Sequence, residues 1–520
     1  MAQLPGVVNK LQPSSLAEKF DPNLLIQFFV LYCVVHATYN YFLHPLRHVP
    51  GPFPAKITEL WRTRRYMLGN WHQDILDLHK LYGPIVRVSP NEVSIVDKNA
   101  LVSVFGHGKG TKKTSWYDVW KIPGLSNSLW YQFFNSTDPT EHSFLRKRVS
   151  AVYSMSHILS HESEIVNLSN MLWSQLDELA KKSHPVALHD WASFFAFDVV
   201  TKLGTDQPVG FVKQGKDVDG IIHSICQGFW ESANTGYLPG KTLWFNNPLS
   251  RFAQKFVGSG IKPAAFWVWM GSTVQGRLSE KADEERTRDM LDHYISMKEV
   301  DGSSASLPSI LAEVGNLVGA GADTTSIGIR SVLAQLILHP EDYRRVQNEV
   351  DEAARAHNME NMPYTVLDKL PFLNACIKEA LRLHPSILWQ LPREAPAAGI
   401  NIAGHFIPSS ATISMSPIAQ NRDAETFDSD ANDWNPHRWL PTETNPDASI
   451  KEMDRYNVTF GYGSRTCVGR NLALVEINHF VAEFCQRYDA EFINKEKPFK
   501  IISQWFSYQD DMFVRLKLRT

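Results

Sequence analysis

The hydrophobic pattern opens with one apolar run and then changes period. Leu24 to Leu43 is almost wholly apolar, interrupted by Gln27, His36 and Asn40, and matches the ~20 residues needed to cross a bilayer. A proline-rich stretch follows, His44-Pro-Leu-Arg-His-Val-Pro-Gly-Pro-Phe-Pro54. Next, Gly83-Pro-Ile-Val-Arg-Val-Ser-Pro-Asn-Glu-Val-Ser-Ile-Val96 alternates β-branched and polar residues around turn formers, which predicts a β-hairpin. Most of the remainder has helical spacing, while Arg393 to Ser414 reverts to short strand-like pieces broken by Gly and Pro. The longest helical pattern runs from about Pro308 to Leu338, started by Ser306 and Pro308 and stopped at His339-Pro340. At ~1.5 Å per residue it spans roughly 45 Å, enough to cross a whole domain. The pattern contains no internal repeat. It divides the chain into a short lumenal segment 1–23, a transmembrane anchor 24–43, a hinge 44–54 and a body 55–520 that is mainly α with a small β part.

Length alone, 520 residues, suggests about three domains. Candidate chemistry runs from about residue 140 to 470, and three domains would cut one site apart, so the body is expected to be a single large domain. With 43% hydrophobic and 11% aromatic residues it can bury a large core. A net charge of -3 without a dominant basic block excludes a nucleic-acid binder. The five cysteines, Cys33, Cys226, Cys376, Cys467 and Cys485, are odd in number, scattered, and form no zinc-type pairs, which places the body in a reducing compartment. The apolar run lacks the basic lead-in and small-residue cleavage site of a signal peptide. Arg47, Lys56, Arg62, Arg64 and Arg65 collect on its C-terminal side, which is therefore expected to be cytoplasmic. The N-x-S/T sites at Asn135, Asn167 and Asn457 then stay unglycosylated.

The most specific chemistry lies in Phe460-Gly-Tyr-Gly-Ser-Arg-Thr-Cys467-Val-Gly-Arg470. A lone cysteine is more often a buried small hydrophobe. Here it stands in a glycine-punctuated loop behind an aromatic and a basic residue, at the mouth of a predicted helix. A thiolate so held can ligate a haem iron, where it favours O–O cleavage. Gly463 and Gly469 allow backbone to approach a flat macrocycle. Arg465 offers donors to a propionate, and helix N–H groups near Val468 favour an anionic sulfur. The spacing Phe-x-x-Gly-x-Arg-x-Cys-x-Gly resembles the haem-binding signature of the cytochrome P-450 superfamily.

Other stretches carry the same resemblance in the same order. Gly315-Asn-Leu-Val-Gly319-Ala-Gly321-Ala-Asp323-Thr324-Thr325 sits mid-way along the long predicted helix. Each glycine there costs about 1 kcal/mol against alanine, which close approach of a bulky object and local distortion would explain. Asp323 and Thr324 can organise water and pass protons, or Thr324 can simply bond back to a carbonyl one turn earlier. Ala320 to Thr324 resembles the superfamily's distal-helix signature. In Lys378-Glu379-Ala-Leu-Arg382-Leu-His-Pro385 the Glu–Arg spacing is uninformative alone, since Glu341/Arg344 repeats it. Followed by Pro392-Arg393 and Trp434-Asn-Pro-His-Arg438-Trp439, it resembles the family's order. This implies a buried structural triad of Glu379, Arg382 and Arg438, with Arg393 on a haem propionate. Glu141-His142-Ser-Phe-Leu-Arg146-Lys-Arg148 resembles the propionate-binding helix. Two departures stand out: His142 replaces the usual Trp, and His437 replaces the usual Glu after Pro436.

The resemblance implies a single haem domain in 55–520 and a haem-thiolate monooxygenase that binds haem b on Cys467, with Asp323 and Thr324 delivering protons. No Gly-rich dinucleotide fingerprint follows a strand, so electrons from NADPH are expected through a flavoprotein reductase, with cytochrome b5 as a further donor. Arg146, Lys147, Arg148 and Arg455 are either that basic contact or a plain solvated face. Relatives that isomerise or dehydrate peroxides without a reductase form the alternative function, and a non-catalytic haem sensor or carrier is a third. The pocket is expected from the regions Trp116 to Phe134, Phe229 to Phe245, the distal helix, Ile387 to Gln390 and Phe506, which suits a lipophilic substrate. The N-terminal half is similar to membrane-bound fungal members of secondary metabolism, the pisatin demethylase-like group among them. That similarity implies a single-pass protein of the endoplasmic reticulum with a cytosolic body.

Overall fold

The computed structural model describes residues 22–109, 111–120, 132–238, 265–279, 288–359 and 361–519. Helix α1, Pro22–Thr38, continues through a π-helical turn, Tyr39–Leu43. Among the described residues, Asn23–Leu43 is the one helix long and apolar enough to cross a membrane, and its apolar side chains are exposed. Asn40, a polar interruption in the sequence, ties the base of this helix to the body. Its Nδ2 donates to Ile57 O at 3.2 Å, and its carbonyl accepts from Arg87 Nη2 at 3.1 Å. The proline-rich stretch after it is packed rather than loose. Leu46 and Val49 are buried, and Arg87 N donates to Pro50 O at 2.7 Å.

The expected hairpin forms from β1, Ile85–Ser89, and β2, Glu92–Ile95, paired antiparallel with Ile85 opposite Ile95. Every residue of both strands is buried, so β-branched side chains fill both faces. The strand-like region resolves into β4, Arg393–Glu394; β5, Ile400–Ile402; β6, His405–Ile407; and β7, Thr412–Met415. β7 lies parallel to β2 and antiparallel to β4, giving the sheet order β1-β2-β7-β4. A second sheet joins β3, Val186–Ala187, to β11, Phe513–Leu518, and β8, Tyr488–Phe492. β9, Lys500–Ser503, pairs with β10, Ser507–Asp510.

Helices make up the rest. Those that position the site are α2, Pro139–Val149; α3, Glu162–Lys181; α4, Leu188–Thr205; α5, Ile221–Thr235; α6, Leu307–Leu338; α7, Pro371–Leu383; and α8, Arg470–Arg487. The largest hydrophobic cluster binds α3, α4, α6, α7 and α8 together, with α6 at its centre. The start signals read from sequence operate here: Ser306 Oγ accepts from Ser309 N at 3.4 Å, and Pro308 stands in the first turn. The end comes at His339, as expected.

One expectation fails along α6. It remains α-helical throughout its 32 residues, without distortion at its glycines. Their absent side chains make room for neighbouring helices instead. A Cβ on Gly319 would lie 2.9 Å from Phe229 Cζ of α5, and one on Gly321 would lie 3.4 Å from Val200 Cγ2 of α4. Close helix packing therefore offsets the propensity cost.

Candidate functional site

The cysteine loop is folded by its own backbone. Cys467 N donates to Phe460 O at 2.8 Å and Thr466 N to Gly463 O at 3.1 Å, closing the turn before α8. Gly463 has φ +63°, and a Cβ there would collide with the carbonyl oxygen of Phe105. Only glycine fits. At Gly469, which precedes α8, a Cβ would lie 3.9 Å from Cys467 Sγ. The thiol is reachable by water, yet it sits deep in the body. Burial pushes it up, against the N–H groups of Gly469 and Arg470 and the guanidinium of Arg146. The N–H groups of the helix terminus thus act in the expected direction, towards an anionic sulfur, with burial opposing them. A bound metal ion would deprotonate such a thiol outright.

Beside the sulfur lies a cluster of cations, Lys113 and Arg393 buried, Arg146 and Arg465 half-buried. Arg146 Nη1 of α2 donates to Thr466 O at 2.6 Å, and Arg465 Nη1 to Ser136 O at 2.9 Å. Arg393 Nη1 of β4 reaches Tyr117 OH at 3.0 Å and Pro392 O at 3.0 Å. Lys113 bridges to Arg393 in strand fashion, and its Nζ donates to Phe134 O. Each of these acceptors is neutral. Arg465 Nη2 is buried with no partner among the described residues. Repulsion among neighbouring cations shows at His142, Arg465 and Lys113. Burial, then Arg465, Lys113, Arg146 and Arg393, hold His142 down to about 3. Burial and Arg393 lower Arg465 to about 10, and burial takes Lys113 well below its usual range. A cavity of about 570 Å³ opens here, lined by Phe105, His142, Arg146, Arg393, Ser464 and Arg465. Buried and half-buried cations bonded to no carboxylate, an orphaned guanidinium nitrogen and a thiol beside them fit a haem with two propionates.

Across the chain, α6 divides its two chemical residues between different faces. Ala320 is exposed and Thr324 half-buried, and Thr324 Oγ1 donates to Ala320 O at 2.7 Å, one turn back. Asp323 is fully buried on another face, with Cys226 Sγ of α5 at 3.7 Å from each carboxyl oxygen. Burial pushes its carboxyl up to about 7, opposed by Arg330, Cys226 and Tyr508.

Glu379, Arg382 and Arg438 meet in the core. Arg382 Nη2 and Nε donate to the two Glu379 oxygens at 2.7 and 2.8 Å, and Arg438 Nε donates at 3.0 Å. Trp439 Nε1 and Asn435 N complete the carboxylate's shell at 2.9 and 3.1 Å. Arg382 Nη1 also donates to Asn421 O at 2.7 Å, and Asn421 Oδ1 accepts from Val458 N at 2.8 Å, where the cysteine loop begins. The triad is thus wired to that loop.

A family model described as Cytochrome P450 matches residues 48–516, nearly the whole chain. The chain belongs to the cytochrome P450 family. Several curated relatives are fungal. A cytochrome P450 monooxygenase of Aspergillus terreus is 30% identical, over 85% of this chain and 90% of its own length. Cytochrome P450 monooxygenase cicH of Emericella nidulans is 30% identical, over 95% of this chain and 98% of its own. Cytochrome P450 monooxygenase asR2 of Sarocladium schorii is 30% identical, over 91% and 93% respectively. This P450 is accordingly an oxidoreductase of the monooxygenase class, and the family implies haem.

The P450 also has features that sequence reasoning missed. Lys113 joins the cation cluster, and Tyr117, expected only as part of the pocket region, accepts from Arg393 there. Of the expected pocket, residues 121–131 and 239–245 lie outside the described residues. The remaining aromatics meet: Trp116 and Trp505 stand 5.2 Å apart, Trp120 and Phe229 5.4 Å, and Phe229 and Phe506 5.2 Å. Tyr237, from the expected Phe229 to Phe245 region, joins this wall, and Trp505 was not anticipated in it. Of the four basic residues considered for docking, Lys147 and Arg455 are exposed. Arg148 is not a surface charge: it is buried between Glu299 and Glu313, at 3.2 Å from each. At the two departures from the family pattern, His142 lines the cation cavity and the His437 ring packs 5.6 Å from Phe372.

Proposed function

We propose that this P450 inserts one oxygen atom from O2 into a lipophilic small molecule, as a step in fungal secondary metabolism. The observation that carries the reading is the meeting of Cys467 with buried and half-buried cations bonded only to neutral acceptors. Haem b on Cys467 supplies dioxygen activation and oxidising power, which thiolate ligation favours. Arg146, Arg393, Arg465 and Lys113 bind its carboxylates, with neutral His142 filling the wall between them. Phe460 fixes the Cys467 backbone through its carbonyl, and Gly463 and Gly469 keep the loop slim. Glu379, Arg382 and Arg438 hold that loop's base through Asn421. Ala320 parks the Thr324 hydroxyl proton on its carbonyl; turning Oγ1 outward frees it to donate into the distal slot. Asp323, protonated near neutral pH, supplies the next proton.

Helix α1 anchors the protein in the endoplasmic reticulum membrane with its body in the cytosol, where Lys147 and Arg455 contribute to an electron-donor surface. Electrons come from NADPH through a flavoprotein reductase, with cytochrome b5 as a second donor. The aromatic wall suits a ring-bearing, greasy substrate. The test is turnover in membranes with and without reductase, under isotopically heavy dioxygen and a panel of lipophilic metabolites. Label in the product, dependent on NADPH and reductase, is expected. Rearrangement or dehydration of a peroxide with no need of reductase would overturn the reading in favour of an isomerase.

A further inference from the structure

Asp323 has neighbours of unusual chemistry for a buried carboxyl. Its oxygens lie 3.7 Å each from the thiol of Cys226 on α5, and that sulfur accepts from Tyr508 OH of β10 at 3.4 Å. Arg330, two turns along α6, is directed elsewhere: Nη2 donates to Ser193 Oγ of α4, and Nη1 reaches Gln509 O at 3.4 Å. The guanidinium attracts the carboxylate from a distance without bonding it. The titratable groups facing Asp323 are thus Cys226, Tyr508 and Arg330.

We infer that Cys226 and Tyr508 are positioning residues for Asp323, a thiol–phenol clasp that holds its carboxyl off the Thr324 face and sets its proton affinity. The inference rests on the proton-donor role given to Asp323 above. A bonded guanidinium would fix Asp323 as an anion, a poor proton donor at neutral pH. Burial alone would leave it neutral and reluctant to ionise. The clasp lies between these extremes. Burial and the adjoining carboxylate push the Cys226 thiol up, and burial does the same to Tyr508, so both stay protonated donors across the neutral range. A thiol is a weak donor, and here it is shared between two oxygens. It steadies the ionised form modestly and releases the carboxyl easily when it must turn.

The infrared S–H stretch of the full-length resting holoenzyme tests this, because it reads the contact without turnover. The Cys226 band, identified as the one missing from Cys226→Ala, is expected at lower frequency than a free thiol. It should titrate near pH 7 and lose that titration in Asp323→Asn. In Cys226→Ala and Tyr508→Phe, the Asp323 carboxyl band should titrate higher, with roughly tenfold greater proton affinity, about one pH unit. Cys226→Ser, which restores a donor, should return it. The pH profile of coupling between NADPH use and product should move with the same midpoint. A Cys226 band indifferent to Asp323→Asn, or an Asp323 midpoint unmoved in Cys226→Ala, would overturn the clasp. If Cys226→Ala does not fold, Tyr508→Phe, which removes one oxygen atom, reads the same midpoint. Reductase-independent turnover would instead remove the proton-donor reading while leaving the S–H result standing.

Discussion

Glu379 and Arg393 are both buried charges close to the cysteine loop, and their surroundings differ in kind. Around Glu379 every strong group is answered. Two guanidinium groups, an indole and a backbone N–H converge on the carboxylate, and the arginines' other donors reach the carbonyls of Asn421, Ala431 and Phe427. Around Arg393, three further cations crowd a site whose acceptors are carbonyls and one phenol, and Arg465 keeps an orphaned nitrogen. Burying charge costs several kcal/mol unless it is paired. The first cluster meets that cost internally and is scaffold. On the function proposed above, the second meets it only when dianionic cargo arrives, and is a binding surface. Satisfaction of donors, rather than burial or charge, separates the two.

Mutations at the two clusters sharpen or break this contrast. Glu379→Ala should have the largest effect on the fold. It leaves two buried guanidinium groups unanswered, at a cost of about 3–5 kcal/mol, read by denaturant unfolding and by loss of soluble protein. Arg393→Ala and Arg465→Ala should weaken haem retention about tenfold to a hundredfold, measured by haem transfer to a scavenger protein. They should not lower the stability of haem-free protein; a loss there as large as that of Glu379→Ala would erase the distinction. Thr324→Ala should leave haem binding intact and raise peroxide release about tenfold. Coupling should fall as pH rises through about 7, because Asp323 gives up its proton in that range. The smallest effect belongs to the surface. Lys147→Ala should slow reduction by the reductase modestly and only at low salt. Arg148→Ala should act on unfolding instead, since it exposes buried Glu313 to an unpaired state.

What was legible in sequence was local. The hairpin at Ile85 to Ile95, the bounds of α6 and the broken strands after Arg393 follow from alternation, capping by Ser306 and Gly/Pro punctuation, all short-range signals. The cysteine loop was legible because its glycines and cysteine are fixed by one tight turn. What failed depended on distant partners. Lys113 matters through Phe134 O and Arg393, and Arg148 is withdrawn from the surface by Glu299 and Glu313, which no charge pattern near it reveals. The bulky object expected beside the glycines is, at Gly319, Phe229 of α5, which the local sequence does not identify. The proline-rich stretch 44–54 reads as a hinge, and the pairing of Pro50 O with Arg87 N is a distant contact its composition does not reveal. Asp323 and Thr324 were read as one pair, and neither their partition onto two faces of α6 nor Cys226 and Tyr508 as the partners of one face was read from the sequence.

The most direct test of the account is the carbon monoxide difference spectrum of the dithionite-reduced protein in membranes, wild type beside Cys467→His. The account predicts the strongly red-shifted Soret band of a thiolate-ligated haem in the wild type and its loss in the variant. A short-wavelength band typical of histidine-ligated haem, the same in both proteins, would show that Cys467 does not hold the iron and would contradict the site built around it.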